Sequence, residues 1–97
     1  MVIIRWYVGK AAVNSTVESV RYAVQKTLLN AFGGCTRFDG SGAWRSLDGD
    51  EFAEKVDMWE VVTNSSVRAK EVAEYIRTEY KQLAVLVTVE TIEARFV

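Results

Sequence analysis

Residues 33 to 54 read GGCTRFDGSGAWRSLDGDEFAE and concentrate the chemistry of the chain. Five of its six glycines lie here, with its only cysteine, a tryptophan and a dense acidic run. Gly40-Ser41-Gly42 can bring backbone N–H groups against a phosphate or carboxylate. The better reading is a hairpin turn that needs positive φ. The segment lacks the lysine of a phosphate-binding loop and the spacing of a dinucleotide fingerprint. Asp39, Asp48, Asp50, Glu51 and Glu54 offer oxygen ligands for a hard metal. The calcium-loop pattern fails, because Ser41 and Ala43 fill the alternate positions, so a solvated acidic loop is the better reading and no metal is expected. Glu54 stands at a strand entrance, where a carboxylate can be both fixed and partly desolvated. The plainer alternative is a surface charge. Trp44 can stack on a flat ring and Arg45 can grip a carboxylate. Trp44 can otherwise lid the core or pack in a subunit interface. Cys35 falls in an expected strand and reads as a small core residue.

What is missing narrows the chemistry. There is no histidine, which removes the commonest general base, the Ser-His and Cys-His pairs and the usual zinc ligands. An enzyme built on this chain works with carboxylates, Lys, Tyr or backbone groups, or by holding its substrate. No cofactor is called for. A net charge of −1 gives no basic excess for a phosphate backbone, so nucleic acid is not an expected partner. The apolar runs are too short for a membrane span, and Met1-Val2-Ile3-Ile4 leads into a strand-like pattern without a charged leader. A single cysteine suits a reducing cytoplasm.

Ninety-seven residues, 49% hydrophobic, predict one folded domain over residues 1–97. Val2 to Val8 reads as a strand covered on both faces, ended by Gly9 and Lys10. Ser15 and Glu18 fit a capping box before a helical stripe of Val17, Val20, Val24, Leu28 and Ala31, which Gly33-Gly34 stops. A second strand is expected around Cys35 to Phe38, then a hairpin arm around Gly40 to Asp50, then a strand from Val56 to Thr63. Asn64-Ser65-Ser66 reads as the cap of a second helix, with Ala69, Val72, Ala73, Ile76 and Tyr80 as its stripe. Leu83 to Val89 alternates as a strand, and Ala94 to Val97 allows a short extra edge strand. This order predicts an α+β, ferredoxin-like βαββαβ plait, an antiparallel sheet with two helices on one face.

The plan resembles compact ferredoxin-like proteins related in architecture to the trimeric PII-like signalling proteins. Within that group the chain is similar to phage-encoded S-adenosylmethionine lyases. The residues that carry the likeness are Gly42-Ala43-Trp44-Arg45, Glu54-Lys55-Val56, and the run Glu79-Tyr80-Lys81-Gln82-Leu83-Ala84-Val85-Leu86-Val87. Gly34-Cys35-Thr36, Gly42-Ala43-Trp44-Arg45, Asp48-Gly49 and Glu54 also resemble an uncharacterised bacterial family with a Gly-x-Trp-Arg pattern. Together these likenesses cover about residues 33 to 97. One position departs: where the lyases have a tyrosine, this chain has Trp44, whose indole donates a hydrogen bond but accepts none.

The resemblance implies cleavage of S-adenosylmethionine to 5′-methylthioadenosine and homoserine lactone at a site between subunits of a homotrimer, in the cytoplasm of a bacterial host. It implies that Glu54 holds the substrate's amino group or balances its sulfonium, that Trp44 contacts adenine, and that the arm with Gly40, Gly42 and Arg45 closes over the ligand. The residues also allow a trimer that binds an adenosyl ligand without turnover, as a sensor or sequestering protein, or an interaction module whose arm docks a partner.

Overall fold

The computed structural model describes residues 1–10 and 17–97. Its elements in chain order are β1 (Val2–Gly9), α1 (Val17–Phe32), β2 (Thr36–Arg45), β3 (Glu51–Thr63), α2 (Ala69–Glu79) and β4 (Leu86–Thr91). The strands form one antiparallel sheet in the order β2-β3-β1-β4. Ile4, Trp6 and Val8 point to one face of β1, and their partners Val61, Trp59 and Asp57 share it because side chains alternate along a strand. Val20, Val24 and Leu28 of α1 and Ala69, Val72, Ala73 and Ile76 of α2 bury against that face. Both helices therefore cover one side of the sheet, as the expected ferredoxin-like plait requires. No helix among the described residues is long and apolar enough to cross a membrane.

Trp6 joins the layers. Its indole N–H donates to the Ala69 carbonyl at 3.0 Å, and its ring lies 5.6 Å from that of Phe32. The apolar body fills the core while the one polar atom finds a partner. Gly33 ends α1 as expected: it is left-handed, φ 82, and its N–H donates to the Leu29 carbonyl at 2.8 Å.

Several boundaries differ from the sequence reading. The capping residue Ser15 lies outside the described residues; Glu18 pairs with Arg21 at 3.2 Å. Ser65 and Ser66 do not cap α2 with their side chains. Its N-cap is Arg68, while the Ser65 hydroxyl accepts the Val67 N–H in a tighter local turn. Cys35 precedes β2 instead of lying in a strand, though it packs on the core. The last strand begins at Leu86, because residues 80–85 form the turn that closes α2. Residues 92–97 form no extra strand. After Thr91 the chain has no glycine, proline or asparagine to turn it back onto the edge of β4.

The hairpin arm differs most. Gly40-Ser41-Gly42 is not its turn but the middle of β2, paired with Val56, Lys55 and Glu54. The chain reverses over residues 46–50. There the Gly49 N–H donates to the Ser46 carbonyl at 3.0 Å, and the Ser46 N–H to the Asp50 carbonyl at 2.8 Å. Gly49 takes the positive φ, 88, that this turn needs. β1 ends at Gly9, so the pairs from Ser41 with Lys55 to Arg45 with Glu51 project beyond the sheet as a two-stranded ribbon. The ribbon gives the chain extents of 45 × 27 × 22 Å.

At the ribbon's base, on the helix side, sits Asp57, 4% exposed. The Arg21 guanidinium grips it with two N–H groups, at 2.9 and 3.1 Å. Arg37 donates at 3.3 Å and the Lys10 ammonium lies 3.7 Å away. The same three cations surround the more exposed Asp39, with Lys10 at 2.6 Å and Arg21 and Arg37 each at 3.0 Å. The hydrogen bond from Lys10, opposed by desolvation and assisted by Arg37, holds the Asp39 carboxyl below its ordinary value.

Two outcomes follow. Asp57→Asn removes one charge from a buried, paired site and lowers unfolding stability by about 3 kcal/mol in urea titrations; Asp39→Asn has a much smaller effect. Because Asp39 is more acidic folded than unfolded, its contribution is complete above an ordinary carboxyl pKa of about 4. It is lost as pH falls through the lower folded value. Asp39→Asn therefore flattens the acid limb of a stability–pH profile and leaves the neutral limb in place.

Candidate functional site

The face of the sheet away from the helices carries no covering element among the described residues. It carries Ile3, Arg5, Tyr7 and Gly9 of β1, Phe52, Glu54, Val56, Met58, Glu60 and Val62 of β3, and Thr36, Phe38, Gly40, Gly42 and Trp44 of β2, matched by the strand register. The only ion pairs on it run from Arg5, to Glu60 at 3.0 Å and to Glu90 of β4 at 3.8 Å, among the described residues.

Read from the sheet outward, these residues form rows across the strands. Leu86, Tyr7, Met58 and Phe38 make an apolar row. Next come Gly9, Val56 and Gly40, then Glu54 opposite Gly42, and last Phe52 opposite Trp44. Two aromatic or apolar rows thus bound a low floor made of three glycines, one valine and one carboxylate. Met58 and Phe52 are six residue steps apart along β3, so the trough is about 20 Å long at the rise of an extended strand. At its outer end the rings of Trp44 and Phe52 stack, centroids 6.0 Å apart and planes 25° from parallel. Trp44 is 46% exposed, so one ring face is available.

Nothing in the chain's own packing demands glycine at position 42. A Cβ there would meet only Val56, at 3.8 Å, an ordinary contact. A glycine inside a strand weakens it. The missing side chain leaves room for a ligand or another subunit.

Gly9 differs, because a Cβ there would stand 3.0 Å from both oxygens of Glu54 and 3.0 Å from Gln82 Oε1. The Gly9 N–H donates to Gln82 Oε1 at 3.1 Å, and Gln82 Nε2 donates back to the Gly9 carbonyl at 3.4 Å. The turn after α2 is thereby clamped to the end of β1. Glu54 and Gln82, from distant parts of the chain, meet at position 9. Glu54 is half-buried and has neither ion pair nor hydrogen bond among the described residues. A carboxylate fixed on a strand, partly withdrawn from water and unpaired, is available to a cation from outside.

Of the residues singled out from sequence, the structure brings Gly40, Gly42, Trp44 and Glu54 together on one face. It does not bring Arg45 to them. Arg45 falls on the opposite face of the ribbon and pairs with Glu51 at 2.6 Å. It meets Trp44 only at the ribbon's tip, in a shallow cleft with Ala43 and Glu51. Sequence reading missed Gly9, Gln82 and Phe52. The signal for Phe52 was its register opposite Trp44, hidden while the turn was placed at Gly40. Cys35 does not enter the trough, and burial pushes its thiol up, away from thiolate chemistry. A second groove, lined by Thr27, Asn30, Arg68, Glu71 and Tyr75, lies between the helices.

No protein-family model matches the chain, and no match is found among curated proteins. Solved structures do match in fold. A phage S-adenosylmethionine lyase in complex with S-methyl-5′-thioadenosine superposes with a TM-score of 0.70 at 14% identity, over 92% of this chain and 79% of that one. CutA1 of Pyrococcus horikoshii superposes with a TM-score of 0.70 at 13% identity, over 99% and 87%. The periplasmic divalent cation tolerance protein CutA of Archaeoglobus fulgidus gives 0.71 at 14%, over 99% and 88%. The structure has the plait expected from the element order, and its fold is like that of phage lyases and of the CutA proteins. At this level of identity the likeness concerns the fold.

Gly9→Ala tests the geometry of the trough without touching the core. The ends of two flexible side chains can yield to the new methyl, so stability changes by less than about 1 kcal/mol. The Gln82 side-chain amide loses its place, which shows in NMR as shifted Nε2 proton resonances and faster exchange of the residue 9 amide.

Proposed function

We propose that the trough binds S-adenosylmethionine between copies of a homotrimer and promotes its cleavage to 5′-methylthioadenosine and homoserine lactone. The observation that carries this reading is the unpaired Glu54 carboxylate on a glycine floor, with an exposed tryptophan face at the trough's end. That arrangement suits a ligand with a cationic amino-acid part and a flat ring. Trp44 stacks on the adenine, and Gly40 and Gly42 let the ligand lie against the strand.

The chemistry fits a chain without histidine. A carboxylate oxygen of the substrate attacks the carbon next to sulfur, the C–S bond breaks, and its electron pair neutralises the sulfonium. No proton need move. The protein contributes by holding carboxylate, carbon and sulfur in line and by excluding the water that screens the two charges. Glu54 serves this best on the ammonium group, whose charge is unchanged through the reaction. A carboxylate against the sulfonium would favour the ground state, since that charge disappears in the transition state.

The trough is open on one side, which is why we place it at an interface. An isolated two-stranded ribbon is marginal in water. Here Phe38, Trp44 and Phe52 are each about half exposed, and β2 and β4 both present free edges. Other copies of the chain can cover these features, and a trimer is the arrangement of the PII-like group it resembles. A bacterial cytoplasm, where phage proteins are made, is the compartment where such a lyase meets its substrate.

A second reading has its own support. The CutA proteins match the fold as well as the lyase does, and Trp44 replaces a tyrosine of the lyases. In that case the trimer binds an adenosyl ligand and releases it intact, as a sensor or sequestering protein.

Incubation with S-adenosylmethionine, followed by mass spectrometry, separates the readings. The lyase yields 5′-methylthioadenosine above the spontaneous rate. The binding protein retains intact ligand through gel filtration, and an interaction module does neither. For the lyase, Glu54→Gln lowers turnover at least about a hundredfold with an unchanged circular-dichroism spectrum. Gly42→Val fills the trough and abolishes binding, while the ribbon gains strand propensity.

A further inference from the structure

Phe52 stands directly across the ribbon from Trp44. The two rings stack, with centroids 6.0 Å apart and planes 25° from parallel. Neither residue belongs to the hydrophobic core. β1 ends at Gly9 opposite Val56, two rows inward of the pair, so it does not extend to the row that holds them. Each ring is about half exposed. Two large aromatic side chains therefore face each other at a place where they have no core to fill.

The surroundings of Trp44 are one-sided. Its inward neighbours on the same face of β2 are Gly42 and Gly40. A Cβ at position 42 would have no atom of Trp44 within 4 Å, so the indole stands clear of the gap above that glycine. Phe52 is its one ring contact among the described residues. A half-exposed indole without such a neighbour samples several rotamers, and a ligand that needs one of them must order it at a cost in affinity. Directly opposed aromatic residues on paired strands hold each other's orientation.

We propose that Phe52 is a positioning residue for the base-binding end of the trough. It holds the Trp44 indole in the orientation that leaves the space over Gly42 and Gly40 open and presents the ring to a planar base entering there. Phe52 acts through Trp44 and need not touch the ligand. The assignment rests on the reading of the trough as an adenosyl site and adds to it that recognition of the base belongs to a pair of residues.

S-adenosylhomocysteine is the probe, since its neutral sulfur makes it inert to the proposed reaction. Its affinity is measured by calorimetry for the wild-type protein, Phe52→Leu, Phe52→Tyr, Trp44→Leu and the double variant carrying Phe52→Leu and Trp44→Leu. Phe52→Leu weakens the probe about three- to tenfold, and Phe52→Tyr, which keeps the ring, retains it. Trp44→Leu leaves an apolar surface for the base, and in that background Phe52→Leu costs nothing further, because a positioning residue acts only through what it positions. In NMR of the unliganded protein the Trp44 indole N–H resonance moves in Phe52→Leu and stays in place in Phe52→Tyr. Unchanged affinity in Phe52→Leu, an equal loss in Phe52→Tyr, or a loss that persists in the Trp44→Leu background overturns the assignment and leaves the adenosyl site standing. Lost strand pairing in Phe52→Leu, read from the amide resonances of residues 41–45, makes the residue a structural one and overturns it as well. A wild-type protein that does not bind the probe overturns the site and the assignment together.

Discussion

The ladder between β1 and β3 ends at Gly9, while β3 and its partner β2 continue toward the turn at residues 46–50. Much of the candidate site descends from that mismatch in length. Where β1 stops, the chain between α2 and β4 can approach the strand end, and the absence of a side chain at position 9 lets Gln82 take both polar groups of the Gly9 backbone. Among the described residues the same stop leaves the outer ribbon without a third strand, with its aromatic residues about half exposed. A longer β1 would have completed the sheet and removed the trough.

The two faces of the sheet solve opposite problems. On the helix side the buried charge at the ribbon's base, Asp57, is answered. Asp57 and Asp39 share Lys10, Arg21 and Arg37 in one network, and no buried side-chain polar atom lacks a partner among the described residues. That network ties the start of α1 to the two strands of the ribbon and anchors an arm that would otherwise have little to hold it. On the bare side Glu54 is unanswered, and apolar rings stand beside glycines. Saturation on one face and vacancy on the other is the pattern of a scaffold that positions a site.

How much of this was legible in the sequence follows from how local each signal is. Val20, Val24 and Leu28 declare the buried stripe of α1 through spacing alone, as do Ala69, Val72, Ala73 and Ile76 for α2. The left-handed stop at Gly33 was legible for the same reason. The ribbon was not, because Gly40 and Gly49 are equally good turn residues when the pairing partner is unknown. Placing the turn at Gly40 shortened β2 and hid the register that sets Glu54 across from Gly42 and Trp44 across from Phe52. Arg45 looked like a companion of Trp44 because it is adjacent in sequence; alternation in a strand sends adjacent side chains to opposite faces. Gln82 meets Gly9 across more than seventy residues, and no local rule anticipates that contact.

The three tryptophans divide cleanly between these environments. Trp6 and Trp59 face each other across β1 and β3 deep in the core, 0% and 2% exposed, while Trp44 stands half exposed at the end of the trough. Intrinsic fluorescence therefore has two separable sources in the free chain. The core pair emits from an apolar, quencher-proof setting, and Trp44 alone supplies the red-shifted, iodide-accessible component. Any molecule or subunit that settles on the end of the trough must dehydrate that one indole, so the protein carries its own optical reporter there.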